Sequence, residues 1–155
     1  MLYLTLKYAH VVGAIVLLGT GAGIAFFMLM AHRTGDAAHV ALTAHTVVVA
    51  DMVFTATAVI VQPITGLLLA REAGYALAES WIVGSIALYL LAGAAWLPVV
   101  RLQLRMRDLA RVAAASNAPL GADYRTLFRC WFVLGFPGFG AVVAILWLMI
   151  AKPTW

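Results

Sequence analysis

Charged residues are scarce in this chain, and cysteine is almost absent. Only 10% of its 155 residues are Asp, Glu, Lys or Arg, whereas 65% are hydrophobic. A soluble domain has about 25% charged and about 45–50% apolar residues, so this composition excludes a water-soluble fold. The single cysteine, Cys130, permits neither an intrachain disulfide nor a cysteine metal cluster. No nucleophile–base motif, phosphate-binding loop or dinucleotide fingerprint is present, so hydrolytic and nucleotide-driven activities lack support and catalysis stays an open question.

Four long apolar runs take up most of the chain. They cover residues 8–31, 46–70, 81–100 and 130–151. A bilayer core about 30 Å thick needs ~20 helical residues, and each run supplies that length. Backbone groups in lipid must be satisfied internally, which favours helices, and the alternating pattern of a membrane β-barrel is missing. We therefore expect an all-α membrane protein, a four-transmembrane-helix bundle that forms a single transmembrane domain over residues 1–155.

The basic residues lie mostly between the third and fourth runs. Apolar residues recur there at helical spacing; they are Leu102, Met106, Leu109 and Ala113. This pattern predicts a cytoplasmic amphipathic extension of the third helix that ends near Asn117. We favour a stalk that lies in the lipid surface over a helix that binds a partner protein. Anionic lipid head groups are the expected partners of its arginines, which are Arg101, Arg105, Arg107 and Arg111. Nucleic acid is not expected, because no soluble domain presents a basic face.

The distribution of Lys and Arg predicts the orientation. Seven of the ten lie in the first and third links, and the other three are Lys7, Arg71 and Lys152. The positive-inside rule puts the seven in the cytoplasm, so both termini face the periplasm of a bacterial inner membrane. Trp81 and Trp155 are then expected at the outer interface.

Two ionisable residues interrupt the runs, and the first is His10. An ionisable group in hydrocarbon usually faces a partner or a cavity. The helical face of His10 carries mostly small residues, at offsets of three, four, seven and eleven: Gly13, Ala14, Leu17 and Gly21. This groove has two interpretations. It lets another helix pack closely, with His10 as a hydrogen-bonded packing residue, or it admits a haem with His10 as axial ligand.

The second ionisable residue is Asp51. It begins a polar stripe, formed by Asp51, Thr55 and Gln62, that follows one helical face together with Ala58 and Gly66. A structural role would be a hydrogen bond to Ser85, to Tyr89 or to a carbonyl that a proline leaves free. A functional role would be a proton relay or a contact to a bound cofactor. The sequence supports these roles about equally.

Three histidines lie in the polar link from His32 to His45. With His39 between them, their spacings of seven and six residues match no short zinc pattern. We interpret the link as a solvated loop and expect no metal other than a haem iron. His45 borders the second run, however, and is a candidate second ligand near the inner face.

Several stretches resemble a bacterial family of predicted integral membrane proteins of unknown function. They are LKYAHVVGAIVLLGTGAGIAFFMLMAHRTGD, ADMVFTATAVIVQPITGLLLA, WLPVVRLQLRMRDLA and the ending WLMIAKP, at 6–36, 50–70, 96–110 and 147–153. The resemblance covers almost the whole chain. It implies membrane insertion and carries no established activity.

The start of the chain is also distantly similar to the HemJ-type membrane protoporphyrinogen oxidases, small four-helix proteins linked to haem b. Those proteins begin with a Leu-Lys-x-x-His element, and His10 falls on its histidine, while His32 falls near a second one. The resemblance implies haem b held by His10. It implies haem binding more than the oxidase activity, because that family's Trp and Leu-Pro-Arg elements have no counterpart between Val11 and Ala31.

Three functions therefore remain open. The leading hypothesis is a small b-type haem protein that handles electrons or a porphyrin, with a membrane redox partner. The second is a structural or assembly subunit without a cofactor. The third is a proton-coupled carrier that uses Asp51, and it would work as a homo-oligomer because four helices form a thin pore.

Overall fold

The computed structural model describes residues 1–153, which form four long helices joined by short turns. α1 spans Leu2–Thr34. The second long helix, Ala37–Glu72, consists of α2 (Ala37–Ala50), a π-helical turn (Asp51–Thr55) and α3 (Ala56–Glu72). α4 spans Ser80–Ala115 and α5 spans Ala122–Ala151. The described range holds no strand, and all four long helices are long and apolar enough to cross a membrane. The all-α four-helix prediction is confirmed, and Trp155 lies outside the described residues.

The helices extend well beyond the apolar runs that predict them. α4 has 36 residues and is therefore about 54 Å long, against about 30 Å of hydrocarbon. The predicted polar link from His32 to His45 is helical except at Gly35 and Asp36. Gly35 has a φ of 69°, a left-handed conformation that favours glycine and ends α1. The Asp36 carboxylate then accepts a hydrogen bond from Ala38 N at 2.9 Å and begins α2. Hydropathy thus marks the part of each helix that crosses lipid and leaves out its ends.

The predicted extension of the third transmembrane helix is present, but its environment differs from the expected one. α4 continues without interruption to Ala115, as the spacing predicts. Met106 and Ala110 on its apolar face are fully buried in the main core, where α4 packs against α2 and α5. The prediction of a stalk lying in the lipid surface is therefore wrong. Helical spacing identifies an apolar face, but it cannot tell whether lipid or protein covers that face.

The main hydrophobic core lies at this end of the bundle. It combines the end of α1, most of α2, the end of α4 and the start of α5, and its largest fully buried side chains are Tyr124, Met28, Met106 and Val40. The His32 ring stacks on the Phe128 ring with centroids 3.7 Å apart and planes 7° apart. These large interlocking side chains hold all four long helices together at one end.

The opposite end has a smaller cluster. Trp81 and Ile82 pack there with Ala70, and Tyr75 covers them. Lys152 Nζ donates to the Tyr75 hydroxyl at 2.6 Å, which ties the end of α5 to the link between α3 and α4. Between the two ends, α3 packs mainly on α1, and α4 packs on α5. Two helix pairs therefore face each other across the half of the bundle that contains His10.

Met106→Ala tests whether the main core stabilises the fold. Met106 is fully buried, so we expect the variant to lose about 2–5 kcal/mol of unfolding free energy through lost contacts and the cavity left behind. Unfolding in mixed detergent, followed by circular dichroism, measures this loss. Val112→Ala on the same helix is the control, because Val112 is 66% exposed and its change should stay within about 0.5 kcal/mol. Equal losses in both variants would contradict a core at this end.

Candidate functional site

Asp51 lies at the start of the π-helical turn and is only 3% exposed. Trp96 of α4 approaches both of its carboxylate oxygens, with Nε1 3.2 Å from Oδ1 and from Oδ2. The turn is closed by a backbone bond from Ala56 N to Asp51 O, five residues apart. π-Helical turns are rare inside α-helices and often mark functional sites.

Gln103 completes the surroundings of Asp51. Its side-chain amide nitrogen donates to Asp51 Oδ2 at 3.1 Å, and its amide oxygen accepts from Trp131 Nε1 at 3.3 Å. Gln103 and Trp131 are 3% and 4% exposed. One carboxyl thus joins the second long helix to α4 directly and to α5 through an amide.

These partners of Asp51 differ from those that the sequence predicts. Ser85, an expected partner, instead donates to Trp81 O on its own helix, at 2.7 Å. The available signal was weak: Trp96 and Gln103 are seven residues apart on α4 and so share a helical face. The pairing of α2 with α4, which brings that face to Asp51, is a property of the tertiary structure.

His10 lies at the other end of the polar stripe and contacts α3. Its Nδ1 is 3.0 Å from the hydroxyl oxygen of Thr65, and Thr65 is buried. That hydroxyl lies 2.8 Å from Val61 O and 3.2 Å from Gln62 O. We assign its single proton to its own helix, which makes Thr65 the acceptor of Nδ1–H. This assignment leaves a lone pair on His10 Nε2.

Gln62 fills the groove that the sequence predicts beneath His10. Its amide nitrogen donates to the backbone oxygen of His10 at 2.9 Å. A Cβ at Gly13 would lie 2.8 Å from that nitrogen, so the close approach of the two helices requires glycine at this position. Further along α1, Gly21 faces Phe139, whose ring lies 3.7 Å from the position of a Cβ. Protein side chains therefore cover Gly13 and Gly21, while Ala14 between them is partly buried.

A backbone carbonyl between the two ends of the stripe is also satisfied by a side chain. Pro63 has no N–H, so the helical partner of Val59 O is missing. The Tyr89 hydroxyl of α4 donates to this oxygen. Tyr89 and a carbonyl freed by a proline are two alternative partners that the sequence predicts for Asp51, whereas in the structure they bind each other.

The polar stripe is buried along its whole length and is longer than predicted. Thr55 and Gln62 are each 7% exposed, and Thr65 extends the stripe to the level of His10. From Asp51 to Thr65 the stripe spans 14 residues, which is about 21 Å of helix. The Thr55 hydroxyl has no hydrogen-bond partner within residues 1–153.

His45, the candidate second ligand, lies apart from both ends. It is exposed, and its Nδ1 is 3.2 Å from Arg111 Nη2. Twenty residues separate it from Thr65, or about 30 Å of helix, so it does not share a site with His10. Among residues 1–153, no group of three or more His, Cys, Asp or Glu side chains could hold a metal ion.

Tyr89→Phe tests the contact to Val59 O. The variant leaves this carbonyl without a donor in an apolar environment, and we expect a loss of about 1–2 kcal/mol of unfolding free energy. Unfolding in mixed detergent measures it. Tyr8→Phe removes a hydroxyl from a side chain that is 73% exposed and should change stability by less than about 0.5 kcal/mol. The contact has no role if the two variants are equally stable.

No curated protein and no solved structure matches the chain. The model of a family described as predicted integral membrane protein (DUF2269) matches residues 4–153. The chain therefore belongs to the DUF2269 family of predicted integral membrane proteins.

Proposed function

We propose that this membrane protein is a proton-coupled carrier in which Asp51 and His10 bind the proton and the polar stripe connects them. One observation supports this function above the others. The stripe faces the interior of the bundle from Asp51 to Thr65, and at its end Thr65 holds the imidazole of His10. Polar side chains inside a membrane mark proton and ion pathways when they face the bundle interior.

The chemistry of the Asp51 end suits reversible protonation. Its hydrogen-bond donors, Trp96 and Gln103, are both neutral. Among residues 1–153 the one salt bridge joins Arg107 to Asp108, so Asp51 has no ion pair to break when it takes up a proton. Trp96 and Gln103 orient the charged carboxylate, and neither carries a positive charge that would hold it ionised.

The His10 end supplies a proton acceptor. The contact of Nδ1 with Thr65 leaves the Nε2 lone pair to take up a proton. The Gln62 amide fixes the backbone of the same residue, so the imidazole is anchored on both sides.

Transfer between the two ends requires water. Thr55 and Gln62 are seven residues apart, or about 10 Å, which is too far for a direct hydrogen bond. Ala58 leaves the intervening face without a bulky side chain, and the hydroxyl of Tyr89 reaches Val59 O at this level. A short chain of water molecules would connect Thr55 to Gln62.

We also propose a membrane location and an oligomeric state for the protein. Seven of the ten Lys and Arg residues lie in the first and third links, which supports a bacterial inner-membrane protein with both termini in the periplasm. Asp51 is then nearer the cytoplasm and His10 nearer the periplasm. A homo-oligomer would give these four helices the lateral support that a carrier needs.

Proton flux into liposomes tests the proposal. A potassium diffusion potential drives protons into vesicles that contain a pH-sensitive dye. Asp51→Asn removes the inner proton-binding group, and Thr55→Val removes the hydroxyl next to it on the stripe. We expect Asp51→Asn to reduce flux to the level of empty vesicles and Thr55→Val to reduce it several-fold.

Thr57→Val is the matched control for Thr55→Val. Thr57 is two residues away but exposed, and its hydroxyl donates to Val53 O of its own helix at 2.6 Å. Its flux should equal that of the original protein. If Asp51→Asn retains full flux after correct insertion, the carrier proposal fails; a loss in Thr57→Val as large as that in Thr55→Val would remove the role of the stripe.

A haem b protein is the second candidate, and the tautomer of His10 favours it. Histidines that bind a metal usually donate their second ring nitrogen to a nearby oxygen, as His10 Nδ1 does to Thr65. The fit is partial, because Gln62 and Phe139 cover the predicted groove at Gly13 and Gly21. A macrocycle would have to approach Nε2 from outside the contact between α1 and α3.

An absorption spectrum tests the haem candidate directly. Protein purified after haem-replete expression should show a Soret band that His10→Ala abolishes, while His39→Ala, at an exposed histidine, retains it. A colourless protein would rule this candidate out. A protein with neither a Soret band nor proton flux would instead support a structural or assembly subunit, which copurifies with a larger complex.

A further inference from the structure

The four arginines of α4 differ in the contacts that their guanidinium groups make. Arg107 Nη2 lies 2.8 Å from Asp108 Oδ1, and its Nε donates to the same oxygen at 2.9 Å. Arg111 Nη2 lies 3.2 Å from His45 Nδ1. Arg101 and Arg105 are exposed, and neither has an ion pair or a side-chain hydrogen bond to any other residue of the described range 1–153. Two of the four guanidinium groups therefore remain available to a ligand.

The two available arginines belong to one surface at the end of a membrane span. They are four residues apart, so their side chains are neighbours on the same face of α4. Leu97 lies one turn further toward the membrane centre on this face and is 55% exposed. A row of apolar and then basic side chains along a helix matches the acyl chains and head group of a lipid.

An open groove of about 500 Å³ between α4 and α5 continues from this surface. Its lining residues are Arg105, Asp108, Leu109, Val112, Asp123 and Leu127. Asp108 is engaged by Arg107, and Asp123 lies in the first turn of α5. α4 runs for ten more residues after Arg105, about 15 Å, before the chain turns back to Asp123. The groove is therefore basic near the membrane and acidic at its far end.

We propose that Arg101 and Arg105 bind the phosphate of an anionic phospholipid in the adjacent leaflet, with its acyl chains along Leu97. Guanidinium groups recognise phosphate oxygens through paired hydrogen bonds. The acidic end of the groove repels the head group and so keeps it near the membrane. This site does not depend on the proton pathway and would be present in any of the functional candidates.

Two double variants that remove equal charge test the site. Native mass spectrometry of the detergent-solubilised protein, titrated with phosphatidylglycerol or phosphatidylcholine of equal chain length, gives both affinities. Each basic residue near the head group contributes about fivefold, so R101Q/R105Q should weaken phosphatidylglycerol binding by about 25-fold. R107Q/R111Q should weaken it by less than about threefold, since these two side chains are already engaged.

Several outcomes would overturn the site. They are equal losses in the two double variants, equal affinity of the original protein for the two lipids, and full competition by soluble glycerol phosphate, which would indicate a simple anion site. Gel filtration establishes that each variant is folded. If R101Q/R105Q does not fold, the single variants R101Q and R105Q replace it, each with an expected loss of about fivefold.

Discussion

The hydrocarbon of a membrane offers no water, so a polar group in a membrane-spanning helix needs a partner from the chain or from water enclosed by the bundle. This constraint accounts for the contacts that connect the long helices. Asp51 accepts a hydrogen bond from Trp96. Val59 O, which lacks its helical donor because of a proline, accepts one from the Tyr89 hydroxyl. Gln62 donates to a backbone oxygen of α1. Apolar side chains pack equally well against lipid and against another helix, so these few polar contacts decide which helix faces meet.

The two halves of the bundle are held in different ways. At the end that carries the α4 extension, large side chains such as Met28, Met106 and Phe128 interlock in one core. In the half that contains His10, α1 and α3 approach so closely that a Cβ at Gly13 would lie 2.8 Å from Gln62. The first half is a packed core of large side chains, whereas the second consists of two helix pairs joined by polar contacts.

The sequence predicts the helices well and the partners of the site poorly. Runs of about 20 apolar residues are a strong signal, so four membrane helices follow from composition and length. The burial of Asp51, Thr55 and Gln62 on one face also follows from helical spacing. Trp96 could not be predicted as the partner of Asp51, because that contact depends on which faces of α2 and α4 pack together. Small residues mark a face on which helices pack closely, as at Gly13, but they do not say which helix packs there.

The surroundings of Asp51 fit a carboxylate better than a neutral side chain. Gln103 donates to Asp51 and accepts from Trp131, and it can do both only while the facing oxygen of residue 51 is an acceptor. A proton on that oxygen, or an Asn amide nitrogen in its place, requires the Gln103 amide to turn over, and Trp131 N–H then faces a donor. A change of charge at Asp51 is thereby transmitted to α5 through one amide, in a core where an unpaired N–H costs about 1–3 kcal/mol. In the proposed carrier, this coupling is the route by which proton uptake at Asp51 would alter the contact between α4 and α5.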